Sequence, residues 1–399
     1  MKMRTVKRLL SGLLVMTAVL MMHSCIFEDK VDTTKYRTLL VYMGADNNLE
    51  DNAMSNLSSM NAAMNKGMEH YNLLVFIDRM DTIDVPAALL HVHNLQIDTV
   101  AKYPHANSSD PELMRKVIDD VLENWKAESY GLMLWSHGMS WLPADKLHYV
   151  APNFGYAQRR APQTKTFLLD ERPGSNPNHK WMELDELAEA IPENVFEFIA
   201  FDACFMGSVE VIYALRHKAD YIISSCYEIV SYGFPYHIVT RDLLNGNLMK
   251  ACKEFYNFYN DMDGWRQMGG ISLVKTEGLD SLARCFRKVV AENREKIPEV
   301  DISTLQCFDR FNRHVLFDMG DVVDKLNPSK ELLSEFLLQL EECVPYKIST
   351  PYAFPGDIKD QIKIEKYCGM SVYVPIKWYD EGGLNAAYRG TDWSIDTDY

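Results

Sequence analysis

The sequence predicts an α/β fold in which a mostly parallel central β-sheet is covered by helices on both faces. Short apolar runs alternate along the chain with longer segments whose apolar residues recur at helical spacing. The short runs are mostly apolar, which is typical of parallel strands buried on both faces. With 47% apolar residues among 399, the chain can bury a core of this kind.

Strands and helices alternate in the first part of the chain. Strands are expected at 37–43, 72–77, 130–135, 195–201 and 219–224. Helices are expected at 49–64, 110–127, 182–191 and 206–216. The start of the second helix is marked most clearly, because Asp110 is a good N-cap and Pro111 suits the first turn.

The pattern continues beyond residue 240 without a linker that would separate a second domain. Helices are expected near 241–262, 277–297 and 330–344, and short strands near 270–274 and 370–375. No internal repeat is visible, so a single mostly folded domain is expected after the first residues.

Charge and motifs exclude several classes of function. The formal net charge is −15 and no basic stripe occurs, so nucleic acid is not an expected partner. The sequence contains no Walker, dinucleotide-binding or GxSxG motif. It also lacks CxxC pairs, and His91 and His93 have no further ligand at a suitable spacing. We therefore expect neither a cofactor nor a metal site.

The N-terminus has the pattern of an export signal. Residues 1–8 carry four basic residues, and an apolar run follows at 9–22. That run is too short to span a bilayer comfortably and is typical of a secretory signal peptide. The string Met-His-Ser-Cys ending at Cys25 resembles the bacterial lipobox, which implies cleavage before Cys25 and acylation of that residue. The alternative is an uncleaved N-terminal anchor helix.

The residues after Cys25 bear on the destination of such a lipoprotein. Position 26 is Ile rather than Asp, which favours the outer membrane of a Gram-negative cell. The acids Glu28 and Asp29 are similar to surface-export signals of Bacteroides-type lipoproteins. We expect an exported protein that acyl chains hold on the membrane. Such an anchor is durable, because each buried methylene contributes ~0.8 kcal/mol.

Cysteine usage predicts at least one free thiol. The chain has eight cysteines, and acylation of Cys25 would leave an odd number. In an exported protein, an unpaired thiol is either buried and inert or reactive for a purpose.

Residues of catalytic type follow two of the predicted strands. His137 lies two residues after the strand ending at Trp135, and Cys204 lies three residues after the strand ending at Phe201. Functional groups in open α/β sheets gather just past the carboxyl ends of the strands. If the two strands are neighbours, an imidazole and a thiol share one rim of the sheet.

This pair is the minimum set for acyl transfer by a thiol. A thiolate at Cys204 attacks a carbonyl carbon, and His137 accepts and returns the proton. The backbone N–H groups of Gly138 and Cys204 are candidate donors to the oxyanion. The positive end of a helix starting at Met206 would favour the thiolate. Taken singly, each residue also has a structural interpretation, as a buried small cysteine or a histidine in a turn.

Five strings in the sequence resemble the clostripain family of cysteine peptidases. They are LLVYMGADNNLED (39–51), LMLWSHGMSW (132–141), FDACFMGSVEVIYAL (201–215), SSCYEIVSYGFPY (224–236) and CGMSVYVP (368–375). The resemblance extends from about residue 36 to the C-terminus. It implies a caspase-like fold with His137 as the catalytic histidine and Cys204 as the nucleophile.

The same resemblance concerns substrate preference. It implies that Asp202 helps to line the pocket for the substrate side chain and recognises Arg or Lys, since a carboxylate accepts two hydrogen bonds from a guanidinium. Family members often carry a further acid where this sequence has Tyr232, so the preference for a basic residue should be weaker here. Glu228 is a candidate substitute. Asp202 alternatively caps the following turn.

Self-cleavage is also implied, because relatives cut themselves between the catalytic histidine and cysteine. Here residues 139–180 form a long, polar, proline-containing segment, and segments of this length are usually functional or disordered. We hypothesise cleavage after Arg159, Arg160 or Lys165. The alternative is a surface insertion that remains uncut.

The sequence therefore predicts a membrane-anchored cysteine endopeptidase that acts on proteins or peptides. The expected divisions are a signal peptide (1–24), a lipid-anchored tether (25–35) and a clostripain-like peptidase domain (36–399), itself a core with the catalytic pair (36–240) and a C-terminal extension (241–399). The rival hypothesis is a non-catalytic binding lipoprotein on a caspase-like scaffold. Tyr232 favours this rival, whereas retention of both His137 and Cys204 disfavours it.

Overall fold

A nine-stranded β-sheet lies at the centre of the computed structural model, which describes residues 35–80, 86–104, 106–150, 181–354 and 361–399. The strands are β1 (Arg37–Ala45), β2 (Tyr71–Arg79), β3 (Ala87–His93), β4 (Gln96–Tyr103), β5 (Ser129–Trp135), β6 (Phe196–Asp202), β7 (Ala219–Ser224), β8 (Gly270–Lys275), β9 (Phe317–Asp318), β10 (Tyr346–Ser349), β11 (Tyr352–Ala353), β12 (Ile362–Lys363) and β13 (Ser371–Val372). The order across the central sheet is β10-β8-β7-β6-β5-β1-β2-β3-β4. The strands from β7 to β2 run parallel, and antiparallel strands extend both edges.

Helices form two groups around this sheet. They are α1 (Glu50–Ala63), α2 (Pro111–Asn124), α3 (Leu147–Val150), α4 (Leu184–Ala190), α5 (Val209–Ala214), α6 (Tyr236–Leu244), α7 (Leu248–Asn260), α8 (Leu279–Asn293), α9 (Met319–Leu326), α10 (Lys330–Cys343), α11 (Leu384–Tyr388) and α12 (Asp392–Thr397). One group contains α1, α6 and α7, and the other includes α2, α4, α5, α8, α10 and α12. The predicted α/β class with a mostly parallel central sheet is confirmed.

The central strands explain why helices are needed on both faces. Every residue of β1 is buried, and the side chains of Leu39–Met43 are at most 2% exposed. Successive side chains of a strand point to opposite faces, so a strand apolar at every position must be covered on both. The uninterrupted apolar run thus dictates a layer of helices on each side.

The helix expected at 206–216 is shorter than predicted and corresponds to α5. Phe205 has a left-handed backbone with φ of 61°, which interrupts helical geometry. The N–H of Gly207 donates to the carbonyl oxygen of Ser225 at 2.7 Å and not to a helical partner. The helix therefore begins only after Ser208, whose side chain caps it.

The single helix expected at 241–262 is two helices, α6 and α7. Gly246 lies between them with φ of 74°, a left-handed conformation that glycine adopts without strain and that commonly ends a helix. Sequence periodicity did not reveal this break, because apolar positions continue at helical spacing on both sides of it.

Residues beyond 240 complete the fold that begins at the N-terminal strands. Strands β8 and β10 extend one edge of the central sheet, and Lys35–Tyr399 form one compact unit. Within the described ranges, no helix combines the length and apolar character needed to cross a membrane.

Candidate active site

The carboxyl ends of β5 and β6 lie side by side. The two strands are parallel neighbours, and Trp135 is opposite Asp202 in their register. His137 and Cys204 therefore each stand two residues beyond the last paired position. The condition in the sequence analysis, that the strands before the two candidate residues are neighbours, is met.

Gly138 packs directly against the backbone of Cys204. A side-chain carbon at position 138 would lie 2.4 Å from the carbonyl oxygen of Cys204 and 3.1 Å from its nitrogen. A larger residue would force the two strand ends apart, so glycine is required here for close packing. The oxyanion role predicted for the N–H groups of these two residues stays a prediction.

The sulfur of Cys204 is covered by another part of the chain. The residue is fully buried, and the backbone N–H of Ile229 donates a hydrogen bond to Sγ at 3.3 Å. Helix α5 begins at Val209, beyond a turn that follows the cysteine. The expected influence of a helix starting at Met206 was therefore wrong, because a helix dipole acts mainly within the first turn.

The imidazole of His137 is also buried and is held by an asparagine. Its Nε2 lies 2.7 Å from Oδ1 of Asn48, in the turn between β1 and α1. The sequence analysis missed Asn48, although the rule that found the other candidates applies to it. Asn48 also follows the carboxyl end of a buried strand, and β1 is the other neighbour of β5.

The carboxylate of Asp202 organises a loop from a later part of the chain. It accepts a hydrogen bond from the N–H of Phe234 at 3.1 Å and another from the hydroxyl of Tyr236 at 2.9 Å. Burial, together with this carboxylate, raises the pKa of Tyr236 well above its usual value, so the phenol remains a donor. Asp202 is fully buried. Its recognition of a basic substrate side chain stays a prediction.

Residues 225–236, here called the covering segment, pack on the carboxyl end of β6. Besides its contacts with Cys204 and Asp202, the segment is fixed by Glu228, whose two carboxylate oxygens each lie 3.0 Å from a nitrogen of Arg310. The guanidinium of Arg310 lies 4.4 Å from the ring centroid of Phe354. Glu228 thus binds an internal arginine, and this structure does not support its predicted use as a substitute pocket acid. In this structure, here called the closed form, the segment covers the sulfur of Cys204.

Tyr232 borders a cavity of about 280 Å³ at the edge of the covering segment. The tyrosine is 43% exposed, and its ring stacks on Trp265. Phe258, His237 and Arg266 also line the cavity, and none of the described residues that line it is acidic. In the closed form, this cavity offers no carboxylate to a basic side chain.

Comparison with known proteins identifies the family to which this chain belongs. The model of the clostripain family matches residues 41–338, which is most of the chain and includes both strand ends and the covering segment. The chain belongs to the clostripain family. It is accordingly a cysteine peptidase, a hydrolase, as the sequence analysis predicted.

Individual members of the clostripain family agree over nearly the whole domain. The chain is 25% identical to clostripain from Hathewaya histolytica over 85% of its length and 74% of that protein. It is similar to the structure of an inactive protease zymogen from Parabacteroides distasonis, with 30% identity, a TM-score of 0.77 and coverage of 92% of this chain and 99% of that one.

A secreted cysteine protease from Bacteroides thetaiotaomicron, solved with an irreversible peptide inhibitor, is similar with 26% identity and a TM-score of 0.76. That likeness covers 91% of this chain and 99% of the other. These likenesses to clostripain-family structures confirm the caspase-like form of the α/β fold.

The described cysteines of this clostripain-family chain form no disulfide. Cys204, Cys226, Cys252, Cys285, Cys307, Cys343 and Cys368 are free thiols. Burial raises the pKa of the Cys307 thiol to about 12 and that of Cys343 to about 11, which makes both poor nucleophiles. Across the described ranges, no group of three or more potential ligands could hold a metal ion.

Several predictions fall on residues outside the described ranges. Cys25 and the expected signal peptide precede residue 35, and the candidate cleavage sites Arg159, Arg160 and Lys165 lie between 150 and 181. These remain predictions from the sequence.

Proposed function

We propose that this clostripain-family chain is a cysteine endopeptidase in which Cys204 is the nucleophile and His137 the acid and base. The observation that carries the proposal is the register of β5 and β6, whose paired ends bring the two residues to one rim of the sheet. The tight fit of Gly138 on the Cys204 backbone supports a fixed geometry between them. Positioning of this kind is a large part of catalysis.

The proposed reaction is acyl transfer in two stages. The thiol proton passes to His137, and the sulfur attacks the carbonyl carbon of the scissile peptide bond to form an S–C bond. The N–H groups of Gly138 and Cys204 are the proposed donors to the oxyanion. When the tetrahedral intermediate collapses, the C–N bond breaks and His137 protonates the leaving amine. Water, deprotonated by His137, then cleaves the thioester and regenerates the thiol.

We propose that the closed form is a precursor and that the covering segment moves when the enzyme is activated. A substrate carbonyl reaches the buried sulfur, which accepts a hydrogen bond from Ile229, only when the covering segment opens. The similar zymogen from Parabacteroides distasonis supports this interpretation. Activation would follow self-cleavage after Arg159, Arg160 or Lys165. N-terminal sequencing tests this, and an active preparation consisting of a single intact chain would exclude it.

The proposed substrates are proteins or peptides with a basic side chain before the cleaved bond. A peptide inhibitor occupies the similar protease from Bacteroides thetaiotaomicron, which supports a peptide substrate. Asp202 is the proposed partner of the basic side chain. With Tyr232 in place of a second acid, the preference for Arg or Lys should be modest.

Anchoring at the membrane is a separate proposal that rests on residues before 35. We propose that residues 1–24 are removed and that acylated Cys25 holds the enzyme on the outer membrane of a Gram-negative cell. Mass spectrometry of the mature N-terminus, with Cys25→Ser as the comparison, tests it. An unmodified Cys25 in membrane fractions would contradict the proposal.

The catalytic proposal is tested with Cys204→Ala and His137→Ala. Both variants should lose hydrolysis of Arg and Lys amide substrates, and an acyloxymethyl ketone probe bearing Arg or Lys should label only chains that retain Cys204. Cys252→Ala is a matched control, because that thiol is buried in α7, away from the rim. Wild-type rates in both catalytic variants would overturn the proposal.

A further inference from the structure

In three strands that are neighbours in the sheet, the carboxyl end is followed by a polar side chain of the candidate site. Met43 of β1 is opposite Trp135 of β5, which in turn is opposite Asp202 of β6. Asn48 follows the first of these ends, just as His137 and Cys204 follow the other two. The sheet order β6-β5-β1 therefore places the histidine between the cysteine and the asparagine.

The contact between His137 and Asn48 determines which ring nitrogen carries the proton. Nε2 lies 2.7 Å from the amide oxygen Oδ1, and an amide oxygen can only accept a hydrogen bond. Nε2 is therefore the donor. In the neutral ring, Nδ1 then has the lone pair and is the nitrogen that can take a proton.

The turn that presents Asn48 is fixed by its neighbours. The hydroxyl of Ser136 donates to the carbonyl oxygen of Gly44 at 2.9 Å, which joins the β5 end to this turn. The side chain of Asn47 bonds within the turn, donating to Gly44 at 3.1 Å and accepting from the N–H of Leu49 at 3.0 Å. Asn47 and Leu49 are buried, whereas Asn48 is exposed and reaches the imidazole.

We propose that Asn48 is a positioning residue, which orients His137 and fixes its tautomer so that Nδ1 exchanges the proton with Cys204. The inference rests on the proposed function of that pair. A cysteine, a histidine and an asparagine act together in papain-like proteases, and geometry rather than sequence order defines such sets. In this proposal Asn48 acts through the imidazole and not on the substrate.

The first test compares the steady-state kinetics of Asn48→Ala and Asn48→Asp. Both variants are produced as the full chain and measured after activation. Loss of one orienting hydrogen bond should lower kcat of Asn48→Ala about tenfold, while KM changes by less than about twofold. Asn48→Asp keeps an acceptor at the same position. It should recover most of the lost kcat at a suitably higher pH.

The pH profile separates positioning from a merely structural role. A carboxylate beside Nε2 stabilises the imidazolium, so His137 keeps its proton to higher pH in Asn48→Asp. The profile of kcat/KM, and that of Cys204 alkylation, should move upward by about one pH unit. If Asn48 only shaped the turn, neither profile would move.

Two further asparagines supply controls. Asn47→Ala should lower the thermal stability of the protein, because it removes two hydrogen bonds of the turn. Asn124→Ala, at the exposed end of α2, should leave kcat and stability unchanged. The positioning role is overturned if Asn48→Ala retains wild-type kcat while Cys204→Ala is inactive. Activity in Cys204→Ala would instead reject the catalytic proposal itself.

Discussion

The backbone N–H of Ile229 donates a hydrogen bond to the sulfur of Cys204 across 3.3 Å. This contact joins a strand end to a segment that lies 25 positions later in the chain, and it leaves the sulfur fully buried. The same segment is held by the carboxylate of Asp202 and by Arg310. Access to the sulfur is therefore governed by the contacts that hold the covering segment closed.

The ion pair between Glu228 and Arg310 should control how readily the covering segment opens. Glu228 is almost completely buried, and Arg310→Met would leave its carboxylate without this partner. Removing one member of a buried pair typically costs about 3–5 kcal/mol. We expect alkylation of Cys204 to become at least about tenfold faster. The rate is measured by mass spectrometry of the peptide that contains this cysteine.

Arg115→Met is the control for this opening experiment, because Arg115 pairs with Asp119 on the exposed surface of α2. Exposed pairs of this type contribute about 0.5 kcal/mol. Equal alkylation rates in the two variants would show that the Glu228 pair does not hold the segment closed.

Gly138→Ala should damage the junction between β5 and β6. The added carbon would lie 2.4 Å from the carbonyl oxygen of Cys204, and backbone cannot yield as a flexible side chain can. We expect a loss of about 1–3 kcal/mol in the free energy of unfolding, together with loss of peptidase activity. In the control Gly390→Ala, the nearest atom is the Ala387 oxygen at 3.3 Å, and urea titration should show only a small change. Comparable stability of the two variants would contradict the close-packing role.

Tyr232→Asp should strengthen the preference for a basic residue before the cleaved bond. The substitution adds a carboxylate to a cavity whose described lining contains Arg266 and His237 but no acid. We expect kcat/KM for an Arg amide, relative to one with an uncharged side chain, to rise about tenfold. In the control Tyr232→Asn, the new side chain has nearly the shape of aspartate but no charge. This variant should not reproduce the gain. A gain of the same size in both variants would rule out an electrostatic origin.

Glu210 should make stability fall as pH rises. It is buried in α5 and accepts a hydrogen bond from the N–H of Tyr373 at 2.9 Å. Burial raises the pKa of Glu210 from 4.5 to about 7. Below pH 4.5 the carboxyl is protonated in both the folded and unfolded states. Between pH 4.5 and about 7 it ionises mainly in the unfolded state, so the free energy of unfolding declines there, by about 3 kcal/mol in all.

Glu210→Gln removes this titration and keeps an acceptor for Tyr373. Its free energy of unfolding should therefore exceed that of the wild type above pH 7 and match it more nearly at pH 4.5, as measured by urea titration across this range. Glu331→Gln, at an exposed position of α10, should follow the wild-type curve. Identical pH dependence in both variants would contradict the prediction for Glu210.

The sequence by itself determined the class of fold and the two principal candidates. Runs such as Leu39–Met43 are apolar at every position, and that local property is enough to predict strands buried between two layers. The rule for carboxyl ends led from the sequence alone to His137 and Cys204. The structure then showed that β5 and β6 are parallel neighbours, which this inference required. The start of α5 was misplaced, since Gly207 bonds to Ser225 across the fold.

Only the tertiary structure decided which distant residues these side chains contact. Glu228 meets Arg310 across 82 positions, and Asn48 meets His137 across 89. Neither pairing has a local signature, because periodicity and capping report on neighbours in the chain and not on contacts made by folding. The covering of Cys204 by Ile229 is of the same kind. A hydrogen bond between distant segments depends on how the layers pack, which no short stretch of sequence encodes.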